Sequence, residues 1–350
     1  MASQLGLQNE TIPLTTRAAV TTALGMRTEL SSDWPVKNPS ALAPGECIVK
    51  IEYTGVCHSD LHLMLGDWLE QPLLPSVGGH EGVGRVVAIG AHTADRGVKI
   101  GDRVGIKHTI GTCMRCDMCL RGFDQHCPDR VVSGRDVDGT FAEYMVAFVD
   151  QLIPIPAALS SVAAAPILCA GVTVYDALKK LDAPTGSWLV ISGGGGGLGH
   201  LGIQYAISRG LRVAAIDTGA DKRTLCLSLG AEAFIDYAES TDVPADVRAA
   251  TDPLGVHAAL VTTTSSLSYV QAAKYVRRQG TILCVGVPPT LTDFPIGLVV
   301  DRGIKLIASQ TGGRLAVQEA LALAARGKYG LQPVSFRPDE SSLDAMHVIG

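Results

Sequence analysis

Four closely spaced cysteines form the most specific chemical pattern in the sequence. They follow the spacing C-x2-C-x2-C-x7-C and are Cys113, Cys116, Cys119 and Cys127. Four thiolates this close in sequence can enclose one tetrahedral Zn²⁺ with no open position, which is typical of a structural zinc site. Two alternatives stay open, namely four unrelated buried cysteines and a zinc module that binds nucleic acid. The acidic balance of the chain and the lack of flanking basic residues weaken the second.

A second set of metal-binding residue types is spread along the chain. Cys57 begins the stretch Cys-His-Ser-Asp-Leu-His, His80 lies in Gly-His-Glu, and Cys169 begins Cys-Ala-Gly-Val-Thr. Two sulfurs and one imidazole make a Cys2His set whose fourth position stays free for water or a substrate, which is the composition of a catalytic zinc site. Each of these residues taken alone also fits a place in a hydrophobic core.

A glycine-rich turn predicts a site for a dinucleotide. Gly197, Gly199 and Gly202 form G-x-G-x-x-G between a predicted strand and a predicted helix, and Asp217 follows 20 residues after the first glycine. Amides at a helix N-terminus can bind a pyrophosphate, and the carboxylate can bind both hydroxyls of the adenosine ribose. Because Asp217 would repel a 2′-phosphate, the pattern predicts NAD rather than NADP. The alternative is a glycine-rich turn that binds no ligand.

The elements predicted around these residues fall into two classes. Up to about Val149, short strands alternate with turn residues, which favours a folded-over, largely antiparallel sheet. Those strands are predicted at 46–53, 84–89, 103–106 and 141–146. Beyond residue 187, strands alternate with helices, which predicts a doubly wound parallel sheet. Its six candidate strands are 188–192, 212–217, 233–236, 257–261, 281–285 and 304–308.

Four helices are predicted in this second class with definite ends. One runs from the glycine-rich turn to about Arg209 and is stopped by Gly210, one covers 221–229, one is capped by Ser265 and stopped by Gly280, and a last amphipathic helix covers 315–325. Glycine just after a helix is a common stop signal.

Composition limits the classes of protein to which the chain can belong. The 350 residues are 47% apolar and 18% charged, which favours two globular domains and excludes a disordered chain. A formal net charge of −5 without a basic run predicts no nucleic-acid partner. No apolar run is long enough to span a membrane, and Met1 to Glu10 does not resemble a signal peptide. Together with nine cysteines, this predicts a cytoplasmic protein with reduced thiols.

In this order, the two zinc patterns and the dinucleotide motif resemble the zinc-dependent medium-chain alcohol dehydrogenases, most closely the tetrameric ethanol-dehydrogenase branch of fungi. The similarity runs from about Cys47 to Gly327 and is most specific at 54–62, 77–82, 166–175 and 191–202. It implies an α/β protein with a mainly β, GroES-like catalytic domain at 1–166 and 312–350. The same resemblance implies an NAD-binding Rossmann domain at 167–311 and a homo-oligomer, either a tetramer or a dimer.

The resemblance also implies roles for the zinc-site residues. Cys57, His80 and Cys169 would hold the catalytic zinc, with Glu81 as an alternate ligand. Asp60 would hydrogen-bond His80. The proton relay would consist of Ser59 and His62.

The cofactor contacts that the resemblance implies lie in three places. These are the pyrophosphate and its glycine turn, the adenosine ribose, and the nicotinamide end. In that order the residues are His58, Gly196, Gly197 and Leu198, then Asp217 and Lys222, then Val285, Val287 and Ser309. Plain alternatives are a solvated helix position for Lys222 and a core position for Val287. The remaining Cys47, Cys226 and Cys284 are interpreted as small core residues.

The function implied is an NAD-linked, zinc-dependent interconversion of a primary alcohol and an aldehyde by hydride transfer. His108 stands where the ethanol enzymes of the family have a pocket tryptophan, which predicts a substrate larger than ethanol, with Trp68 as an apolar wall. The alternative is that His108 points to solvent and leaves the substrate pocket unchanged.

The chain stops at Gly350, where relatives continue into a strand that begins with an arginine at the pyrophosphate. A catalytically impaired NAD-binding relative is therefore the rival function. A second rival function is that of a zinc-free quinone reductase of the same superfamily. Zinc found by metal analysis would exclude it.

Overall fold

The structure is a computed structural model that describes residues 11–68, 70–93 and 97–326. Within these residues the chain separates into two compact units. Unit 1 contains the described residues up to Cys169 together with Gly313–Arg326, and unit 2 is Ala170–Gly312. The predictions about the first ten residues and about the C-terminal tail lie outside the described residues.

Short strands build most of unit 1. Its elements up to Cys169 are β1 (Thr15–Thr21), β2 (Glu29–Pro35), β3 (Glu46–Thr54), α1 (His58–Leu65), β4 (Ser76–Val77), β5 (Gly82–Ile89), β6 (Arg103–Ile106), β7 (Thr109–Gly111), α2 (Asp117–Leu120), β8 (Val131–Val132), β9 (Tyr144–Phe148), β10 (Ile153–Pro154) and α3 (Ser161–Ala164). The described strands form a five-stranded antiparallel sheet in the order β10-β6-β5-β3-β9, a three-stranded sheet β2-β1-β4 and the pair β7-β8. The predicted antiparallel sheet is confirmed.

Strands and helices alternate throughout unit 2. Its elements are α4 (Ala170–Lys179), β11 (Trp188–Ser192), α5 (Gly197–Ser208), β12 (Arg212–Asp217), α6 (Ala220–Ser228), β13 (Ala233–Asp236), α7 (Val243–Ala250), β14 (Val256–Val261), α8 (Ser266–Tyr275), β15 (Val276–Cys284), α9 (Ile296–Arg302) and β16 (Lys305–Ala308). The chain then returns to unit 1 as α10 (Arg314–Ala325), which buries an apolar stripe of Ala316, Val317, Ala320, Leu321 and Ala324.

The six strands described in unit 2 are parallel and lie in the order β13-β12-β11-β14-β15-β16. The order reverses between β11 and β14, and a doubly wound sheet opens a crevice at the carboxyl ends of the strands at this point. Buried valine, isoleucine and alanine side chains on the strands pack against the flanking helices. The predicted parallel sheet is confirmed.

The predicted end of the helix after Ser265 is wrong. The helix stops at Tyr275, and β15 begins at Val276. Arg277 donates from Nε to the carbonyl of Gly255 at 2.9 Å and pairs with Asp252 at 2.6 Å, which holds this segment in the sheet. Beside it the ladder with β14 shifts in register, an irregularity that the pattern of residue types does not reveal.

The strand predicted at 141–146 is shifted in the structure to Tyr144–Phe148. Ala142 instead forms a bridge with Ala18, and the carbonyl of Phe141 accepts from the N–H of Ala19 at 2.8 Å. The segment 141–148 therefore pairs first with β1 and then with β3.

No single helix among the described residues is both long and apolar enough to cross a membrane, although one bent helix pair has the required length and composition.

Candidate functional site

Unit 1 brings together four side chains that are far apart in the sequence. Cys57 precedes α1, His80 and Glu81 precede β5, and Cys169 is the last residue of the unit before α4. One possible ligand atom from each lies within 4.8 Å of the others, and the two sulfurs are 3.9 Å apart. The three predicted catalytic-zinc ligands and the alternate ligand therefore form one cluster.

Asp60 fixes the orientation of the His80 ring. Its Oδ1 lies 2.9 Å from Nδ1 of His80, and its Oδ2 accepts from the N–H of Cys57 at 2.9 Å. A carboxylate only accepts, so Nδ1 carries the ring proton and Nε2 keeps its lone pair. His80 is 1% exposed, and its Nε2 has no hydrogen-bond partner among the described residues. An unpaired buried acceptor costs about 1–3 kcal/mol, whereas coordination to a metal ion satisfies it.

The electrostatics of the cluster favour a bound cation. Burial raises the pKa of Glu81 well above its usual value, and the charge on Cys57 adds to this effect. The hydrogen bond between the two sulfurs lowers the pKa of Cys57 and raises that of Cys169. The negatively charged forms of Cys57, Cys169 and Glu81 therefore repel one another in this buried cluster. A divalent cation removes this conflict because coordinating thiols are deprotonated, so the residues fit a zinc ion.

Gly55 makes room for Glu81 and is a site residue that the sequence analysis missed. A Cβ on Gly55 would overlap Oε2 of Glu81. Any larger residue would therefore displace the carboxylate from the cluster. The only sequence signal was a glycine two residues before Cys57.

The two predicted relay residues both lie on α1. Oγ of Ser59 is 3.5 Å from Sγ of Cys57, which places the hydroxyl at the edge of the cluster. His62 follows three residues later, and residues three apart share one face of a helix. The imidazole lies 4.6 Å from the ring of His58 and 5.3 Å from that of Trp68, which stacks on it.

The second predicted metal cluster is formed by the four cysteines around α2. One sulfur from each of Cys113, Cys116, Cys119 and Cys127 lies within 4.8 Å of the others. The N–H of Cys116 donates to Sγ of Cys113 at 3.3 Å, and hydrogen bonds from the N–H groups of Arg115 and Cys116 lower the pKa of Cys113 to about 6. These donors stabilise a thiolate, so this donor set also fits a zinc ion.

The glycine-rich turn joins β11 to α5 in unit 2. Gly196 is the N-cap of α5, and Gly197 and Leu198 are its first residues. The first amides of a helix have no partner within the helix and can bind an anion. A Cβ on Gly199 would overlap the carbonyl oxygen of Gly193, so the tight turn requires glycine there.

Asp217 ends β12 beside this turn. Its Oδ2 accepts from the N–H of Gly195 and its Oδ1 from the N–H of Thr218, each at 2.9 Å. Nζ of Lys222 lies 3.1 Å from Oδ1, with the lysine side chain 41% exposed and the aspartate 7% exposed. The carboxylate is therefore fixed at the turn, and Lys222 is paired with it rather than freely solvated.

The residues predicted at the nicotinamide end follow β15 and β16. Val287 is 73% exposed, so the alternative of a core position is wrong, and Val285 is partly buried. Ser309 is buried, and its hydroxyl lies 3.1 Å from Asp176 and 2.9 Å from Nζ of Lys180. The ion pair between Asp176 and Lys180, on and just after α4, holds Ser309 and was not predicted from the sequence.

His108 lies beside the first cluster rather than in solvent. Its ring packs edge-on against His80 with centroids 5.5 Å apart, and burial lowers its pKa to about 3. The side chain is therefore a neutral, partly buried imidazole.

The three remaining cysteines fit their prediction as small core residues, since Cys47 and Cys226 are fully buried and Cys284 is partly buried.

Comparisons with known families agree with both units. Residues 43–157 match the alcohol dehydrogenase GroES-like domain, and residues 197–326 match the zinc-binding dehydrogenase domain.

Curated relatives match most of the chain. Alcohol dehydrogenase 1 of Emericella nidulans is 44% identical over 84% of this chain and 83% of the relative. An alcohol dehydrogenase of Schizosaccharomyces pombe is 42% identical over 87% of each chain.

Solved structures are similar over nearly the whole chain. An NAD-dependent alcohol dehydrogenase has a TM-score of 0.82 and 30% identity, covering 91% of each chain. Acetophenone reductase from Geotrichum candidum in complex with NAD has a TM-score of 0.79 and 28% identity, covering 92% of this chain and 90% of that one.

Proposed function

The chain belongs to the zinc-dependent medium-chain alcohol dehydrogenase family, and from this premise we propose that it interconverts a primary alcohol larger than ethanol and the matching aldehyde with NAD. The observation that carries the proposal is the buried His80 Nε2, which lacks a partner among the described residues and lies in a cluster with two cysteines. The similarity to named alcohol dehydrogenases does not support the rival function of a catalytically impaired relative.

We assign Cys57, His80 and Cys169 as the ligands of the catalytic zinc, with Glu81 as an alternate ligand. A bound zinc ion supplies Lewis acidity towards a hydroxyl or carbonyl oxygen, and a bound nicotinamide ring exchanges hydride. Asp60 keeps the proton on Nδ1 of His80, so that Nε2 is available as a ligand atom.

Proton transfer is assigned to α1. The hydroxyl of Ser59 lies at the edge of the cluster, where it can take the proton of an alcohol while it passes its own proton on. His62, whose side chain is 24% exposed, can pass that proton to solvent. The order of the two residues along one helix face supports a relay that leads outward from the cluster.

A substrate panel tests the proposed reaction. Purified zinc-replete protein is mixed with NAD and primary alcohols of increasing length, and NADH formation is followed by absorbance. We expect turnover with several alcohols and the reverse reaction with the matching aldehydes. A protein that binds NADH but turns over none of these compounds would contradict the proposal.

The cofactor preference is proposed to depend on Asp217. Asp217→Ala removes the acceptor for the ribose hydroxyls and frees Lys222, whose Nζ lies 3.1 Å from the carboxylate, to bind a 2′-phosphate. We expect NADPH to gain on NADH by about 10- to 100-fold in kcat/KM, equivalent to one charge-assisted hydrogen bond. The double variant Asp217→Ala, Lys222→Ala is the control and should lose most of that gain. Equal use of NADH and NADPH by the wild type would contradict the proposal.

The preferred size of the substrate is proposed to depend on His108. An imidazole beside His80 fills less space than an indole, so His108→Trp should move the optimum of kcat/KM towards shorter alcohols. The shift should be gradual, because one methylene is worth only about 1–3 kcal/mol in an apolar pocket. Kinetics along a series of straight-chain alcohols measure it, with His108→Leu as the control for loss of the polar ring. An unchanged profile in His108→Trp would show that His108 does not line the pocket.

The wider organisation is also proposed. The catalytic domain is assigned to 1–166 and 312–350 with one catalytic and one structural zinc, and the NAD-binding domain to 167–311. A homo-oligomer, tetramer or dimer, is supported by exposed Ile296, Val300 and Leu306 on α9 and the edge strand β16. The two cysteine clusters require reduced thiols, which supports a cytoplasmic location.

A further inference from the structure

The turn after α1 directs an acidic side chain back onto the helix. Gly66 adopts a left-handed conformation with φ 73°, and the N–H groups of Gly66 and Asp67 both donate to the carbonyl of His62. This turn reverses the chain and brings Oδ1 of Asp67 to 2.7 Å from Nδ1 of His62. Nε2 of Gln71 donates to the carbonyls of Gly66 and Trp68 at 2.9 and 2.6 Å, which fixes the turn.

Helix stability does not explain the position of this carboxylate. A negative charge at the C-terminal end of a helix is repelled by the helix dipole. In the described part of the chain, Asp67 makes no ion pair other than that with His62. The contact with the His62 imidazole therefore accounts for the position of the carboxylate.

The same contact decides which nitrogen of His62 carries the proton. The carboxylate can only accept, so it selects the tautomer with hydrogen on Nδ1 and leaves the lone pair on Nε2. The ring is also confined by the rings of His58 and Trp68 at 4.6 and 5.3 Å. Its tautomer and its orientation are thus both set by neighbouring groups.

We propose that Asp67 is a positioning residue for the proton relay, which holds the His62 imidazole with its proton on Nδ1 so that Nε2 can accept a proton. The inference rests on the proposed function, in which Ser59 and His62 form the relay. His62 is itself partly exposed and can release a proton to water directly. Asp67 therefore acts through His62 and is not a further proton carrier.

Kinetics test the coupling between the two residues with 1-butanol and NAD as substrates. Asp67→Asn should lower kcat about tenfold with little change in the affinity for NADH. This loss in kcat is smaller than the ~10²-fold or larger loss expected when a positioned base is removed altogether. Asp67→Glu, which keeps a carboxylate, should recover most of the activity. In a His62→Ala background, Asp67→Asn should have almost no further effect.

Asp33→Asn is the matched control. Asp33 is an exposed aspartate of unit 1 that accepts a hydrogen bond from Ser31, and its replacement should leave kcat unchanged. If Asp67→Asn lowers kcat equally with and without His62, or if Asp67→Glu is as slow as Asp67→Asn, the proposal is wrong.

A spectroscopic measurement tests the contact without turnover. Zinc-replete protein labelled with ¹⁵N-histidine is examined by long-range ¹H–¹⁵N spectra, and His62→Ala identifies the His62 signals. We expect neutral His62 to carry its proton on Nδ1 in the wild type and to shift towards the other tautomer in Asp67→Asn. A proton on Nε2 in the wild type, or an unchanged tautomer in Asp67→Asn, would overturn the proposal. Absence of alcohol turnover would instead contradict the proposed function, so the two failures are distinguishable.

Discussion

Replacing Cys169 with serine is expected to abolish turnover and to leave a folded protein. The hydroxyl is a poor zinc ligand, so the cluster of Cys57, His80 and Glu81 would lose its metal ion together with several kcal/mol of transition-state stabilisation. A loss of about 4 kcal/mol corresponds to a roughly 10³-fold lower kcat. Steady-state kinetics and elemental analysis of the purified variant measure the two effects.

The matched control for this variant is Cys47→Ser. Cys47 is a fully buried cysteine of β3 that belongs to neither cluster, so its replacement should leave both the zinc content and kcat close to those of the wild type. Circular dichroism should show an unchanged fold in Cys169→Ser. A Cys169→Ser protein that keeps its zinc and its turnover would show that this cysteine is not a ligand of the catalytic metal.

Cys113→Ser is expected to lower the free energy of unfolding, whereas the protein that remains folded should keep most of its turnover. Its thiolate receives backbone N–H donors and lies 3.6 Å from Sγ of Cys127, so its loss opens a closed site that has no other covalent link. A cost of about 3 kcal/mol would lower Tm by roughly 4 °C in a chain of this size. Differential scanning calorimetry measures it on protein whose zinc content is known.

The comparison that separates the two clusters is the pair Cys113→Ser and Cys169→Ser. The first should have a lower Tm and measurable turnover at low temperature, and the second a Tm near that of the wild type and no turnover. An identical Tm in Cys113→Ser and the wild type would contradict a structural role for the four-cysteine cluster.

The sequence predicted the sites best where the chemistry depends on local spacing. Cys113 to Cys127 form one cluster because a short loop cannot separate them widely, and the strand, glycine turn and helix around Gly197 follow from local patterns. The meeting of Cys57 with Cys169 depends on tertiary structure. Residue types made it one of two interpretations, beside separate core positions, and the family resemblance implied it.

Contacts formed by the shape of a turn or by packing were not predictable. Asp67 reaches His62 only because Gly66 reverses the chain, and Glu81 reaches the cluster only because Gly55 has no side chain. The end of α8 at Tyr275 likewise depends on hydrogen bonds that Arg277 makes with residues more than 20 positions earlier. Residue types and spacing carry no direct signal for such long-range contacts.

The zinc content of catalytically active wild-type enzyme tests the central claim most directly. The two clusters predict two zinc ions per chain, one of which is required for turnover. Elemental analysis should give two zinc ions in protein that oxidises alcohols with NAD, and a chelator should abolish turnover when one ion is removed. Active protein that contains one zinc ion or none per chain would contradict the account.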